Sequence, residues 1–358
     1  MRASGTAIRE TKMSTNRRTI AAAHLAPVFL DSAATTAKAV DAIDEAGRSG
    51  AELIAFPESF IPGFPVWAAV SAPIYNHALF ESFVNASIYI DGPEIRSLRH
   101  AALRNQLTVS VGISERSRAS VGSVWNANVL IGPDGSILNH HRKIVPTFYE
   151  KMIWTPGDGS GLKVHHTQVG RLGMLICGEN TNPLARFTLI AQGEQVHVSS
   201  YPPIWPTRDP SSGGKPYDLE AAIRIRAGAH SFEAKAFNVV VSAAIDATMI
   251  AGLSSLGVDA LRILERTARG VSLVIDPFAD VVSDVLRDDE GLLIQEIDLD
   301  ACMEPKQFHD LSGYYNRFDI FDLRVDRKRV RPITFSDIDS DAEYAALYEA
   351  SGVQAVES

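Results

Sequence analysis

Short apolar runs of strand length return along this chain with helix-patterned stretches between them, and that alternation restricts the fold more than any other feature. "TIAAAHLAP" from Thr19, "AELIAFPES" from Ala51, "LTVSVGI" at 107–113, "RLGMLIC" at 171–177, "QVHVSS" from Gln195, "NVVVSAA" from Asn238 and "VSLVIDP" from Val271 all read as buried strands. "NANVLIGPDGSIL" from Asn126 adds a strand pair about a Pro-Asp-Gly turn at 133–135. Between the first two strands, "SAATTAKAVDAIDEAGRSG" reads as a helix with Ser32 as its cap and a glycine at its end. Strands alternating with helices make an α/β protein.

A second helix is patterned in "DLEAAIRIRAGAHSFEAKAF", where Ala222, Ile225, Ala229, Phe232 and Ala236 share one face that is expected to pack on a sheet. The preceding "YPPIWPTRDPSSGGKPYD" is too rich in Pro, Gly and Ser for regular structure, and is expected to line a pocket or an interface. Residues 1–18 lack any apolar period and are expected to be a mobile arm. The main domain then runs over 19–300. Residues 301–358 are read as an extension that serves an interface and not as an independent domain.

Charge and cysteine usage exclude several classes of function. The chain carries 34 basic and 43 acidic residues, and no dense Lys/Arg cluster offers the footprint that a phosphate backbone needs, so no nucleic-acid partner is expected. No apolar run approaches a membrane span, and the first residues contain no apolar core of a secretory signal. Cys177 and Cys302 are the only cysteines, which does not resemble a secreted disulfide framework and points to a reducing, cytoplasmic setting. Neither phosphate-binding glycine motif stands in a strand-to-helix context, and no cofactor is expected. The pairs His140-His141 and His165-His166 look metal-like, but neighbours on a strand face opposite ways, so solvated or capping roles are expected and no metal. His24, on an apolar strand, is expected to be a hydrogen-bonded core residue.

Three residues stand out by where their strands end. Cys177 closes "RLGMLIC", ahead of Asn182-Pro183, a cap and a first-turn proline that open the helix "PLARFTLIAQ". The thiol therefore sits at a strand-to-helix elbow, where a nearby helix N-terminus favours thiolate. Glu58 lies just past "ELIAF", and Lys143 follows another strand-turn-strand unit with Glu150 seven residues on. Open α/β sheets place their sites at such strand ends.

The stretches "FPESFIPGFPVW", "GPDGSILNHHRKIVPTFYEKMIWTPGDG" and "LICGENTNPLARFTLIAQGEQVHVSSYPP" resemble, in type, order and spacing, the Glu, Lys and Cys motifs of the nitrilase branch of the carbon-nitrogen hydrolase superfamily. The resemblance spans about Thr19 to about Phe318. It implies a four-layer α-β-β-α sandwich and a cofactor-free hydrolase. In it Glu58 is the general base, Lys143 the cationic stabiliser, Cys177 the nucleophile and Glu150 the second glutamate of the family. The implied substrate is a small organic nitrile, converted to the carboxylic acid and ammonia. Amide-forming hydration and amidase or carbamoylase activity are the rival reactions on the same residues, and a binding or scaffold protein is the rival outside catalysis. The family also implies a homodimer or larger assembly. Gly178 stands where most of that branch carries Trp, which bears on pocket shape, and Tyr314 stands where a histidine is frequent and is assigned no role. Phe60, Phe64, Trp67, Tyr201 and Trp205 flank the motifs as candidate pocket walls, with core packing as the alternative.

Overall fold

A computed structural model describes residues 16–331. Most of the expected arm, 1–15, and the extension beyond 331 lie outside the described residues. Within the described residues, Arg17 and Arg18 already pair with Asp298 and Ile297 as the start of the first strand.

The first half of the chain builds one sheet from β1 (Arg17–His24), β2 (Leu53–Ala55), β3 (Thr108–Arg116), β4 (Val124–Ile131) and β5 (Ile137–Arg142). The second half builds another from β6 (His165–Thr167), β7 (Gly170–Ile176), β8 (Val196–Tyr201), β9 (Phe237–Ser242) and β10 (Leu273–Ile275). A last strand, β11 (Gly291–Asp298), returns to the first sheet and pairs antiparallel with β1. The orders are β11-β1-β2-β3-β4-β5 and β10-β9-β8-β7-β6.

The sheets pack face to face through Ile20, Ala22, Leu53 and Leu130 on one side and Leu172, Met174, Val198, Val239 and Val274 on the other. Outside the first sheet lie α1 (Ser32–Arg48) and α3 (Pro93–Asn105), whose Ala39, Ile43, Ala46, Ile95 and Leu98 cover Ile54, Val109 and Val111; α2 (His77–Ala86) flanks the same half of the chain. Outside the second lie α4 (Pro183–Ile190) and α5 (Leu219–Ala234), with Leu189 against Leu175 and Ile223 and Ala227 against Val240 and Leu273. The result is the expected four layers, α-β-β-α. Two short helices, α6 (Ala247–Gly252) and α7 (Val258–Arg266), close an aromatic cluster around Phe64, Trp67, Phe83 and Trp154.

Two local expectations differ. The cap of α1 is Asp31, whose carboxylate accepts from the Ala34 amide at 2.9 Å, and Ser32 is the first helical residue. In α5 the buried stripe is Leu219, Ile223, Ala227, His230 and Ala234, whereas Ile225 and Phe232 are 72% and 45% exposed. Both faces of this helix carry apolar residues, so periodicity alone admits two solutions. The one realised buries His230, which is possible because Glu194 meets its Nε2 at 2.7 Å. From 301 the chain runs in short turns and then extended, back over the first half: the Val330 amide donates to Asp158 Oδ2 at 2.9 Å and Arg329 to the His140 carbonyl at 2.8 Å.

Candidate active site

The strand ends named from sequence converge. Glu58 follows β2 by three residues, Lys143 directly follows β5, and Cys177 directly follows β7. Lys143 Nζ donates to Glu58 Oε1 at 2.7 Å and to Glu150 Oε2 at 2.6 Å, and all three side chains are buried. A carboxylate oxygen of each glutamate and Cys177 Sγ lie within 4.8 Å of one another. One cation between two carboxylates, with a thiol beside them, is therefore shut away from bulk water.

Burial sets the proton affinities. Loss of solvation raises Glu58, Lys143 pulls it back and Glu150 adds to the rise, leaving it at about 7. Burial alone would lower Lys143, but Glu150 and Glu58 hold it well above the ordinary lysine range. Burial first, and then the Glu58 charge, push the Cys177 thiol up. The elbow's expected preference for thiolate is thus overridden, because desolvation and a neighbouring anion outweigh a helix terminus. The resting site pairs a protonated thiol with a carboxylate of near-neutral affinity, an arrangement suited to moving one proton as sulfur attacks.

Several residues the motifs did not single out hold this geometry. Asn126 Nδ2 donates to Glu58 Oε1 at 2.7 Å, and the Glu58 amide donates to the Tyr201 carbonyl at 3.3 Å. Glu150 also accepts from the Thr147 amide at 2.8 Å and the Trp205 indole at 3.1 Å, so the Pro-rich loop reaches the site through Trp205. Cys177 sits at φ +47°, a left-handed conformation that costs a non-glycine residue on the order of 1 kcal/mol or more unless its surroundings enforce it. Those surroundings are buried. Glu179 accepts from the Ile176 amide at 2.9 Å and from the Ile144 amide at 2.7 Å, and so ties the Cys177 turn to the segment after Lys143. Asn180 donates to the Leu175 and Cys177 carbonyls at 3.2 and 3.1 Å.

The pair His140-His141 is bonded to carboxylates, whereas in the pair His165-His166 the second ring is exposed, as expected. His140 and His141 face opposite ways, as expected, but His140 Nε2 meets Glu115 at 2.7 Å and His141 Nε2 meets Glu179 at 2.8 Å. His24 is a core residue bonded to Ser272 Oγ at 2.8 Å and the Arg287 carbonyl at 2.9 Å. A further buried group, Glu194, His197 and His230, has the composition of a metal site. Both Glu194 oxygens are engaged at 2.7 Å by the two imidazoles, and the other nitrogen of His197 lies 3.0 Å from Asn180 Oδ1, so the group braces the turn that carries Cys177, while His230 Nδ1 is left without a partner. Gly173, inside β7, makes the approach possible: a Cβ there would lie 2.0 Å from Glu194 Oε1. A strand-interior glycine was the one sequence signal for this brace.

Of the candidate walls, Tyr201 and Trp205 border the site, while Phe60 packs on Phe56 and Phe64 and Trp67 belong to the aromatic cluster. Gly178 lies against Thr147, and a Cβ there would be 2.7 Å from Thr147 Oγ1. Cys302 is buried and free, with its sulfur 3.8 Å from the Gln195 carbonyl. No described helix is long and apolar enough to cross a membrane.

The carbon-nitrogen hydrolase family model matches residues 19–307. A relative named nitrilase 3, from an unknown prokaryotic organism, is 32% identical over 317 residues, covering 86% of this chain and 89% of the relative. A cyanide hydratase of Gibberella baccata is 33% identical over 328 residues, covering 87% of each. Among solved structures, the C. elegans NitFhit protein superposes with a TM-score of 0.66 at 17% identity, over 91% of this chain and 72% of that one, a likeness of fold alone. A match that runs from the first strand to the turns beyond the last, with relatives this similar over most of both chains, makes the chain a member of the carbon-nitrogen hydrolase family.

Proposed function

We propose that this protein is a nitrilase, which hydrolyses an organic nitrile to the carboxylic acid and ammonia through covalent intermediates on Cys177. The observation that carries the reading is the buried Glu58–Lys143–Glu150 chain of hydrogen bonds beside the Cys177 thiol. Glu58 takes the thiol proton as sulfur adds to the cyano carbon, and the nitrogen is protonated to give a thioimidate. Lys143, held cationic by two carboxylates, stabilises charge developing on nitrogen and then on oxygen in a site without bulk water. One water adds to the thioimidate, ammonia leaves, and a thioester remains. Glu58 activates a second water, which releases the acid and restores the thiol. Glu150 keeps the ammonium in place.

A second reading is supported by the relatives named cyanide hydratase. The tetrahedral intermediate can lose sulfur in place of ammonia, which releases an amide. Ammonia and amide yields from a panel of aliphatic and arylaliphatic nitriles separate the two. About one ammonia per nitrile consumed is expected, predominant amide would establish hydration, and no turnover with no Cys177 adduct would leave a binding protein.

The finer expectations belong to the same reading. The active form is a homodimer or larger, and Ile225 and Phe232 on the outer face of α5, with Phe318 and Phe321 in the extension, are exposed apolar side chains available to such an interface. Light scattering on active enzyme that gave a monomer at micromolar concentration would contradict this. A cytoplasmic location fits two unpaired, buried cysteines, and cell fractionation tests it.

A further inference from the structure

Helix α5 brings a charge to the site that the reaction above does not use. It connects the parallel strands β8 and β9, so its first turns lie at the sheet edge where β7 and β8 deliver Cys177 and Tyr201. Helical side chains lean toward the N-terminus, and Arg226, at the margin of the buried stripe, leans toward that edge. Its Nη2 donates to Tyr217 Oη at 2.8 Å, its Nε donates to the Ala222 carbonyl at 2.9 Å, and the guanidinium carbon lies 5.3 Å from the centre of the Tyr201 ring. The Tyr217 ring meets Trp205 edge-on at 5.2 Å, and Trp205 reaches Glu150. Tyr149 stacks on Trp205 at 5.7 Å, and its buried hydroxyl has no hydrogen-bond partner. Arg226, Tyr217, Trp205 and Tyr149 thus form one continuous wall that ends at Glu150.

The guanidinium is largely buried, yet its hydrogen bonds go to neutral oxygens. No described carboxylate lies within ion-pair distance of it; burial lowers its proton affinity, Tyr201, Cys177, Tyr217 and Glu58 together hold it above the ordinary arginine value, and Glu58 is already bonded to Lys143. Two other partly buried arginines have acidic partners, Arg142 with Glu115 and Arg186 with Glu233, whereas Arg171, like Arg226, donates to a neutral oxygen, the Gly193 carbonyl. A cation withdrawn from water without a counterion is costly, and an anionic ligand would remove that cost.

We propose that the substrate is a nitrile bearing a carboxylate, an ω-cyanocarboxylate, whose carboxylate is received by the planar fork of Arg226. This assignment rests on the nitrile-hydrolysing reading and names the arm of the substrate that lies away from Cys177.

The test uses full-length protein with two probes. First, 4-cyanobutanoate and its methyl ester are compared in wild type, Arg226→Gln and Arg226→Lys. Wild type is expected to favour the acid by about tenfold or more in kcat/KM, the scale of one charge-assisted pair. Arg226→Gln is expected to reverse that preference chiefly through KM, and Arg226→Lys to restore part of it. An ester preferred by wild type, or equal losses on acid and ester, overturns the proposal. Second, glutarate is tested for protection of Cys177 against iodoacetamide, with butanoate as the single-carboxylate control. Protection by glutarate that exceeds butanoate and is lost in Arg226→Gln is expected, whereas protection indifferent to Arg226 overturns the proposal. Because protection requires no turnover, a protein that hydrolyses no nitrile but shows Arg226-dependent protection would sink the nitrilase reading and leave the anion subsite standing.

Discussion

Cys177→Ala is expected to reduce turnover by about four orders of magnitude or more while the protein stays folded, since a nucleophile has no substitute in its own step. The structural change is small: one sulfur is lost from a turn held by Glu179 and Asn180, whose hydrogen bonds go to backbone that alanine retains. Mass spectrometry of the wild type with a slow nitrile should find the adduct on the Cys177 peptide. An adduct on Cys302, or an active Cys177→Ala protein, would reject the assignment. The pH dependence is a second part of this result. Glu58 can accept the thiol proton only when ionised, and burial, with Glu150 adding and Lys143 opposing, places its titration at about 7. Alkylation of Cys177 should therefore rise with pH through about 7 and fall away below it, and Glu58→Gln should remove that limb. A profile that follows the thiol alone, rising only in alkaline solution, would show that Glu58 is not the base.

Glu150→Gln is expected to lower kcat by about 100-fold or more, with a much smaller loss of stability. Glu150 Oε2 takes two donors, Lys143 Nζ and the Thr147 amide, and Oε1 takes the Trp205 indole. A glutamine must turn its own N–H group toward one of these donors in either orientation, and it no longer balances the ammonium. Lys143 keeps Glu58 as a partner, so the core retains a paired charge and the fold survives. Because the Glu150 charge raises the proton affinity of Glu58, its removal should also shift the acid limb of Cys177 alkylation to lower pH. The variant should be soluble, with Cys177 still alkylatable. Near wild-type kcat would return Glu150 to a purely structural role.

Much of the site was legible because its residues are placed by local rules. A strand that ends near Phe56, at Arg142 or at Ile176 leaves the next polar side chain at a sheet edge, and Asn182-Pro183 marks a helix start whatever the rest of the chain does. Strand ends, the elbow and the irregular 202–218 loop are properties of a few consecutive residues, and the sequence by itself determined them. Motif resemblance added the roles proposed for Glu58, Lys143, Cys177 and Glu150. The tertiary structure alone decided what depends on partners far away in the chain. Periodicity could not choose between the two apolar faces of α5, since the choice turned on Glu194 being present to meet His230. The burial of His141 and the partner of half-buried His140 could not be read, because Glu179 and Glu115 arrive from other segments. The elbow suggested a thiolate, but the proton stays on sulfur because burial and the Glu58 charge, brought in by a strand over 100 residues earlier, outweigh a local dipole. Pattern reports which face of an element avoids water; proton affinity and charge pairing are set by whatever the fold brings within a few ångströms, and only the packed chain decides that.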